Sequence, residues 1–362
     1  MVSVKRPIMV MAGGTGGHVF PALAVANYLR DQGENIVWMG TKSGLESRLV
    51  PAANFPIEWL TIEGVRGKGL FTKAMAPFKL LLACSQAIKI LWKNKPRAIL
   101  GMGGFASGPG GLMAWLLRIP LIIHEQNAVI GLTNKLLNKF ASLKYFAFPQ
   151  AAKNIVDSIV VGNPVRKDLL AIDPPEVRYA DLHRNNINVL VIGGSLGAKT
   201  LNDTLPEALH KIDTKDRPAV RHQCGAGKLQ DCKKLYEKLD VEADLTEFVD
   251  DMKSAYEWAD LVICRSGALT VAELAAVGIA SILVPYPYHV DDQQLYNAAF
   301  LTDADAAIVR KDKEFSAQFL AQCLVNLSKD KEQLMQMACN ARKIAYTDAT
   351  QQVASGILRE AL

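Results

Sequence analysis

The sequence predicts an α/β protein built from two doubly wound, Rossmann-like domains. Three observations carry that reading. Short apolar runs alternate with longer helix-like stretches, the pattern of strands buried on both faces of a parallel sheet. A strand, glycine loop and helix unit occurs near the start as PIMVMAGGTGGHVFPALAVANYLRDQG and again from Asn188 as NVLVIGGSLGAKTLNDTLPEALHKI. At 362 residues, 50% of them hydrophobic, the chain also exceeds what one apolar core usually organises.

Taken in order, the apolar runs at 8–12, 36–39, 98–102 and 121–123 read as strands of the first domain. In the first helix Pro21 suits the opening turn and Gly33 the C-terminal stop. Gly162 and Pro164 punctuate the segment VGNPV at 161–165, so the domains are placed at 1–161 and 162–341, facing one another across a cleft. Residues 173–181 read as a polar, proline-containing loop. Beyond Ile308 the chain reads as helical, with a terminal helix pair over 337–362 whose last member, about 342–362, is expected to return to the first domain.

Net charge is +5 but unevenly shared. Residues 1–162 hold 18 Lys/Arg against 7 Asp/Glu, and the rest hold 23 against 29. A basic half is suited to phosphate, nucleic acid or an anionic lipid surface. The cysteines at 84, 224, 232, 264, 323 and 339 show no C-x-x-C pair and no regular spacing, which favours reduced thiols over a disulfide framework or zinc. The opening MVSVKRPIMVMAGG lacks the apolar span and cleavage site of a signal peptide. No run reaches the ~20 apolar residues that cross a bilayer. A cytoplasmic protein with peripheral membrane contact is the expectation.

Three glycine loops follow strands, at 13–18, 103–111 and 193–197. Glycine lets backbone N–H groups approach a ligand, and the following helix directs its positive end at any phosphate there. One such loop is weak evidence, because a tight strand-to-helix turn needs glycine anyway. Three in matching units point to phosphate or phosphosugar binding. A nicotinamide or flavin site would want G-x-G-x-x-G and an acidic residue closing the second strand, but Val19 stands at the third place and the second strand ends Met39-Gly40-Thr41. The stretch 193–200 misses a nucleotide-triphosphate loop by one residue, with Ala198 before Lys199-Thr200. Asp303-Ala304-Asp305 follows a helix-like stretch and reads as a solvated turn, and His124-Glu125 lacks the second histidine of a zinc helix. No metal site is predicted.

The most informative stretch is TEFVDDMKSAYEWADLVICRSGALTVAELAAVGIASILVPYPYHVDDQQL, 246–295. LVIC reads as a strand, Arg265-Ser266-Gly267 as its exit and 268–276 as a helix whose free N–H groups suit a diphosphate. Glu273, a turn further in, is placed for ribose hydroxyls, or is simply an exposed helix carboxylate. Gln293 and Gln294 both donate and accept, which suits sugar hydroxyls; alone they would be a polar helix start.

The motifs GGTGGHVFPALAVA, LGMGGFASGPGG, HEQNAVIGLTNK, VVGNPVRKD, TEFVDDM, CRSGALTVAEL and DDQQLYNA occur in this order across nearly the whole chain. Together they resemble the motif set of the MurG family of glycosyltransferases. The resemblance implies the GT-B fold, a UDP-GlcNAc donor at the C-terminal domain and an undecaprenyl-diphospho-MurNAc-pentapeptide acceptor at the N-terminal one. It also implies donor contacts at Thr15, Gly16, Gly17, Asn127, Arg166, Ser195, Val249, Ala268, Leu269, Thr270, Val271, Ala272, Glu273 and Gln293. The chain departs from the family at Leu196, where GGSLGAK replaces the frequent GGSQGAR; the backbone cradle is retained and the glutamine contact is lost.

Joining GlcNAc β1,4 from an α-linked donor requires inversion, hence a base for the acceptor 4-hydroxyl. His18 is the first candidate, since the positive end of its helix would keep the imidazole neutral at pH 7; helix capping is its structural alternative. Glu125 is the second, or else orients the acceptor or His124. Helix N-termini and Arg166 suffice to stabilise the UDP leaving group, so no cofactor or obligatory cation is expected.

From Gly64 to His124 there are nine basic residues and no acidic one. Phe71, Met75, Phe78 and Leu82 fall on one helical face near Lys79, Lys89 and Lys93, with Leu80, Cys84, Ala87 and Leu91 assigned to the core. An anionic lipid partner follows, with no role for nucleic acid. A diacylglycerol transferase, a UDP-GlcNAc 2-epimerase and a non-enzymatic nucleotide-sugar module are the competing readings.

Overall fold

The computed structural model describes residues 5–61, 76–180, 186–194, 196–288 and 290–362. They divide into two compact units, 1–166 with 347–362, and 167–346. These bounds fall about five residues beyond those read from the sequence, which brings Arg166 into the first unit.

The first unit is built on a seven-stranded parallel sheet, order β3-β2-β1-β4-β5-β6-β7. The strands are β1 (Ile8–Met11), β2 (Ile36–Thr41), β3 (Ile57–Leu60), β4 (Ile99–Gly101), β5 (Leu121–Glu125), β6 (Leu143–Phe146) and β7 (Ser158–Val160). β1, β4 and β5 are buried along their whole length, as continuous apolar runs covered on both faces should be. The helices are α1 (Gly16–Asp31), α2 (Glu46–Ala52), α3 (Ala76–Asn94), α4 (Ser107–Leu116), α5 (Leu132–Leu137) and the short α6 (Pro149–Ala152). α1 ends where Gly33 takes φ 80°, a value that favours glycine. Pro21 stands inside α1 and is buried, past the opening turn assigned to it. Its ring removes one donor from the helix ladder, at the carbonyl of Gly17.

The second unit repeats the architecture with six parallel strands, order β10-β9-β8-β11-β12-β13. They are β8 (Asn188–Ile192), β9 (Ala219–Gln223), β10 (Asp244–Thr246), β11 (Leu261–Cys264), β12 (Ala280–Leu283) and β13 (Ala307–Val309). Its helices are α7 (Pro175–Arg178), α8 (Lys199–His210), α9 (Leu229–Lys238), α10 (Met252–Trp258), α11 (Ala268–Val277), α12 (Gln293–Thr302), α13 (Ala317–Lys329) and α14 (Lys331–Lys343). Residues 173–181, read as loop, contain α7. Its Arg178 donates to the carbonyls of Val277 and Gly278 and so closes the C-terminal end of α11.

The last helix, α15 (Ala349–Glu360), lies in the first unit. Val353, Ala354 and Ile357 are buried in one cluster with Ala22, Val25 and Leu29 of α1. Gly356 is required there, because a β-carbon would collide with the hydroxyl of Tyr145. In each sheet the order reverses beside the first strand, between β1 and β4 and between β8 and β11. The loops leaving those strands therefore flank the place where ligands bind in open α/β sheets.

Candidate active site

In the first unit the loop after β1 runs through Gly13 and Gly14 into α1. Thr15 is the N-cap and makes no side-chain cap bond; its carbonyl accepts from the N–H groups of His18 and Val19 at 3.2 Å. Gly16 and Gly17, the first two helical residues, sit where N–H groups have no intrahelical partner. Gly103 and Gly104, with φ 90° and 82°, bring the loop after β4 against this one. A β-carbon on Gly103 would sit 3.0 Å from His18 Nε2 and 3.8 Å from Gln126 Oε1. The glycine therefore leaves room for the His18 ring.

His18 is half-buried, and its proton affinity lies below the ordinary histidine value. Burial is the main cause, partly offset by the charge of Glu125, by the carbonyl of Gly13 and by the charge of Glu46. Desolvation acts in the same direction as the helix N-terminus on which the ring stands.

Glu125 ends β5 and is 2% exposed. Its Oε1 accepts from the backbone N–H of Asn127 at 3.0 Å and the amide of Asn127 at 3.3 Å; Oε2 accepts from the N–H of Gly131 at 3.0 Å and the amide of Asn134 at 2.9 Å. Four donors on one carboxylate tie the whole turn from 125 to 134 together. Beside it His124 is fully buried, its Nε2 donating to the carbonyl of Gly162 at 2.9 Å and its Nδ1 meeting the amide of Gln126 at 3.0 Å. Burial lowers its pKa to about 4, so the ring is neutral near pH 7. Arg166 lies 6.0 Å from the ring of Phe20 on α1.

In the second unit the glycine loop after β8 is shaped by its neighbour after β9. Gly194 and Gly197 have φ 81° and 64°, and a β-carbon on Gly197 would collide with the carbonyl of Cys224. That carbonyl is fixed by a buried chain: the Tyr236 hydroxyl meets His222 Nδ1 at 2.9 Å, His222 Nε2 meets Asn202 Oδ1 at 3.1 Å, and the Asn202 amide donates to the Cys224 carbonyl at 2.9 Å. Leu196 is 76% exposed at the loop tip. Ser195 lies outside the described residues.

α11 starts at Ala268 with Gly267 as N-cap and no side-chain cap bond, and the start of a helix is where negative charge is favoured. Ala268, Leu269, Thr270, Val271 and Ala272 form its opening turns, followed by Glu273. Glu273 is 6% exposed, which removes the exposed-carboxylate alternative, and Tyr256 donates to its Oε2 at 3.1 Å. Ser266 donates to the carbonyl of Gln294 at 2.7 Å, and Gln294 Oε1 accepts from the Tyr286 N–H at 2.9 Å. The Gln294 side chain thus holds the loop after β12, while Gln293 opens α12. Val249 is half-buried after β10, beside Phe248, which is 51% exposed.

Arg265 donates to Asp312 Oδ2 at 2.5 Å and to the carbonyls of Val284 and Pro285, and the Thr200 hydroxyl donates to the same Asp312 carboxylate. This tie joins the exits of β8, β11 and β12. No motif announced it, because Asp312 lies 112 positions after Thr200. Asp303 caps the end of α12 and Asp305 has φ 54°, a helix-terminal turn. Among the described residues no cluster of three or more His, Cys, Asp or Glu is arranged to hold a metal ion.

Residues 8–145 match the Glycosyltransferase family 28 N-terminal domain and residues 188–353 its C-terminal domain. The UDP-N-acetylglucosamine--N-acetylmuramyl-(pentapeptide) pyrophosphoryl-undecaprenol N-acetylglucosamine transferase of Nitrosococcus oceani is 49% identical over 98% of this chain and 98% of its own. The protein of the same name from Alkalilimnicola ehrlichii is 50% identical over 99% of this chain and 100% of its own. The crystal structure of Acinetobacter baumannii MurG superposes with a TM-score of 0.84 at 40% identity, covering 98% of this chain and 99% of that one. With both family domains present, two parallel sheets of the GT-B type and end-to-end identity near one half, the chain belongs to glycosyltransferase family 28, in its MurG branch.

Proposed function

We propose that this glycosyltransferase moves GlcNAc from UDP-GlcNAc to the 4-hydroxyl of the MurNAc in undecaprenyl-diphospho-MurNAc-pentapeptide, with inversion, in peptidoglycan synthesis. End-to-end identity of 49% and 50% to relatives bearing that activity in their names carries the reading. The glycine loops and helix starts of both units supply the anion-binding geometry such substrates need.

In this mechanism the acceptor oxygen attacks C1 of GlcNAc as the C1–O bond to UDP breaks, and the electron pair leaves on the diphosphate. His18, kept neutral by burial, takes the hydroxyl proton. Glu125 holds the 125–134 turn and thereby Asn127. The start of α11 is the proposed seat of the diphosphate, without an obligatory metal, and Arg166 is a proposed donor contact of the first unit. Glu273, held by Tyr256, accepts from the ribose. Steady-state kinetics test the donor assignment: Glu273→Ala raises the KM for UDP-GlcNAc by roughly tenfold or more, and an unchanged donor KM contradicts it.

The first unit is also proposed to rest on the cytoplasmic face of the membrane as a peripheral protein. No described helix is long and apolar enough to cross a bilayer. Phe78, Leu81 and Leu82 on α3 are 66%, 68% and 50% exposed and Trp92 64%, on a helix that carries Lys79, Lys89 and Lys93. Leu80, assigned to the core, is 45% exposed: burial on α3 begins only at Ala83, so its first turns show apolar groups all round. Phe71 and Met75 lie outside the described residues. Apolar groups beside lysines suit an interface of anionic lipids.

A further inference from the structure

A carboxylate lies directly beneath the first glycine loop, and no step above uses it. Glu46 opens α2 and its side chain is fully buried. Its Oε2 accepts from the N–H of Gly14 at 2.9 Å, and its Oε1 accepts from the N–H of Thr41 at 2.9 Å and the Thr41 hydroxyl at 2.7 Å. The Gly14 carbonyl accepts from the N–H of Leu45 at 3.2 Å. Two consecutive residues therefore grip Gly14 from both sides, and Gly14 is the loop residue with φ 89°.

Three glycines make the room. A β-carbon on Gly13 or Gly44 would collide with the Glu46 carboxylate, and one on Gly40 would sit 2.8 Å from its Cγ. From the other side Gly104 approaches the backbone of Gly13 so closely that a β-carbon would collide with it. The loop is thus held between a buried carboxylate and a second glycine loop. Burying a carboxylate destabilises a fold unless its lone pairs are met. Here three donors meet both oxygens, which the single acceptor oxygen of an amide could not do.

Resting on the reading of His18 as the base, we propose that Glu46 is a positioning residue of the transfer reaction: it clamps the loop that presents Thr15, Gly16, Gly17 and His18, and places a fixed negative charge near the imidazole. The charged groups facing His18 are Glu125 from β5 and Glu46 from α2, and both strengthen its hold on a proton. Glu125 is committed to the 125–134 turn. Glu46 is committed to the loop on which His18 itself stands.

The test compares wild type, Glu46→Gln and Glu46→Asp in the full-length protein, by NMR titration of the His18 imidazole, hydrogen exchange at the Gly14 amide and the pH profile of kcat/KM. Gln keeps the size but must turn a donor toward either Gly14 or Thr41, both of which donate. In Glu46→Gln, Gly14 exchange accelerates roughly tenfold or more, and kcat falls by a similar factor. The His18 midpoint and the acid limb of kcat/KM both move to lower pH, because a negative neighbour has been removed. Glu46→Asp keeps the charge on a shorter arm, so exchange accelerates while the His18 midpoint moves less than in Glu46→Gln. A folded Glu46→Gln protein with a protected Gly14 amide and an unmoved His18 midpoint overturns the proposal. Should Glu46→Gln not fold, Glu46→Asp with wild-type Gly14 exchange does the same. Exchange and titration do not depend on turnover. A His18→Ala protein that kept its activity would therefore remove the base assignment without deciding the role of Glu46.

Discussion

His18 holds a proton less tightly than an ordinary histidine, chiefly because its ring is desolvated. As proposed base it titrates below its ordinary value, so the acid limb of kcat/KM should lie below pH 6.5 and activity should be lost as pH falls through it. His18→Ala is predicted to lower kcat by ~10²- to 10⁴-fold at saturating substrates; wild-type turnover would remove the assignment. His124 and His222 are not proposed to react, but they titrate with folding. Burial lowers both to about 4. Below pH 6.5 the unfolded chain takes up protons that the folded sites refuse, so stability present above that pH is lost as pH falls toward 4, by up to about 3 kcal/mol per ring. Thermal denaturation across pH 4 to 7 checks this, and a melting temperature that does not fall over that range contradicts it. The HEQN motif was legible as residues, but not as a network. That the four donors of Glu125 include Gly131 and Asn134 depends on a turn whose closure only coordinates reveal.

At the scale of elements, the glycine loops and the starts of α1 and α11 were readable because each needs residues with few substitutes. Gly14, Gly103, Gly104, Gly194 and Gly197 all take positive φ, where a β-carbon is strained. α7 was read as loop because PEVR is a single turn that begins at Pro175 directly after Pro174, too short for a periodic signal. The core side of α3 was misassigned at Leu80, since periodicity identifies faces but not where along a helix burial begins. The exposed apolar residues of α3 predict binding to vesicles of phosphatidylglycerol that weakens with salt and with Trp92→Ala, read by co-sedimentation. Binding indifferent to lipid charge, ionic strength and that substitution would contradict the membrane assignment.

For the whole molecule, the repeated unit forecast two parallel sheets because strand, glycine loop and helix allow few other ways to bury their apolar faces. The return of α15 to the first unit rests on Val353, Ala354 and Ile357, an apolar stripe that needs α1 as its cover. Contacts such as Arg265 with Asp312 and Glu46 with Gly14 were not legible, since they join residues 47 and 32 positions apart through side chains with no local pattern. The central claim concerns the reaction itself, and its most direct measurement is transfer of isotope-labelled GlcNAc from UDP-GlcNAc to a short-chain analogue of undecaprenyl-diphospho-MurNAc-pentapeptide, with the product linkage read by NMR. The account predicts label on the lipid in a β1,4 linkage; no transfer to that acceptor, or an epimer of UDP-GlcNAc formed in its absence, would contradict it.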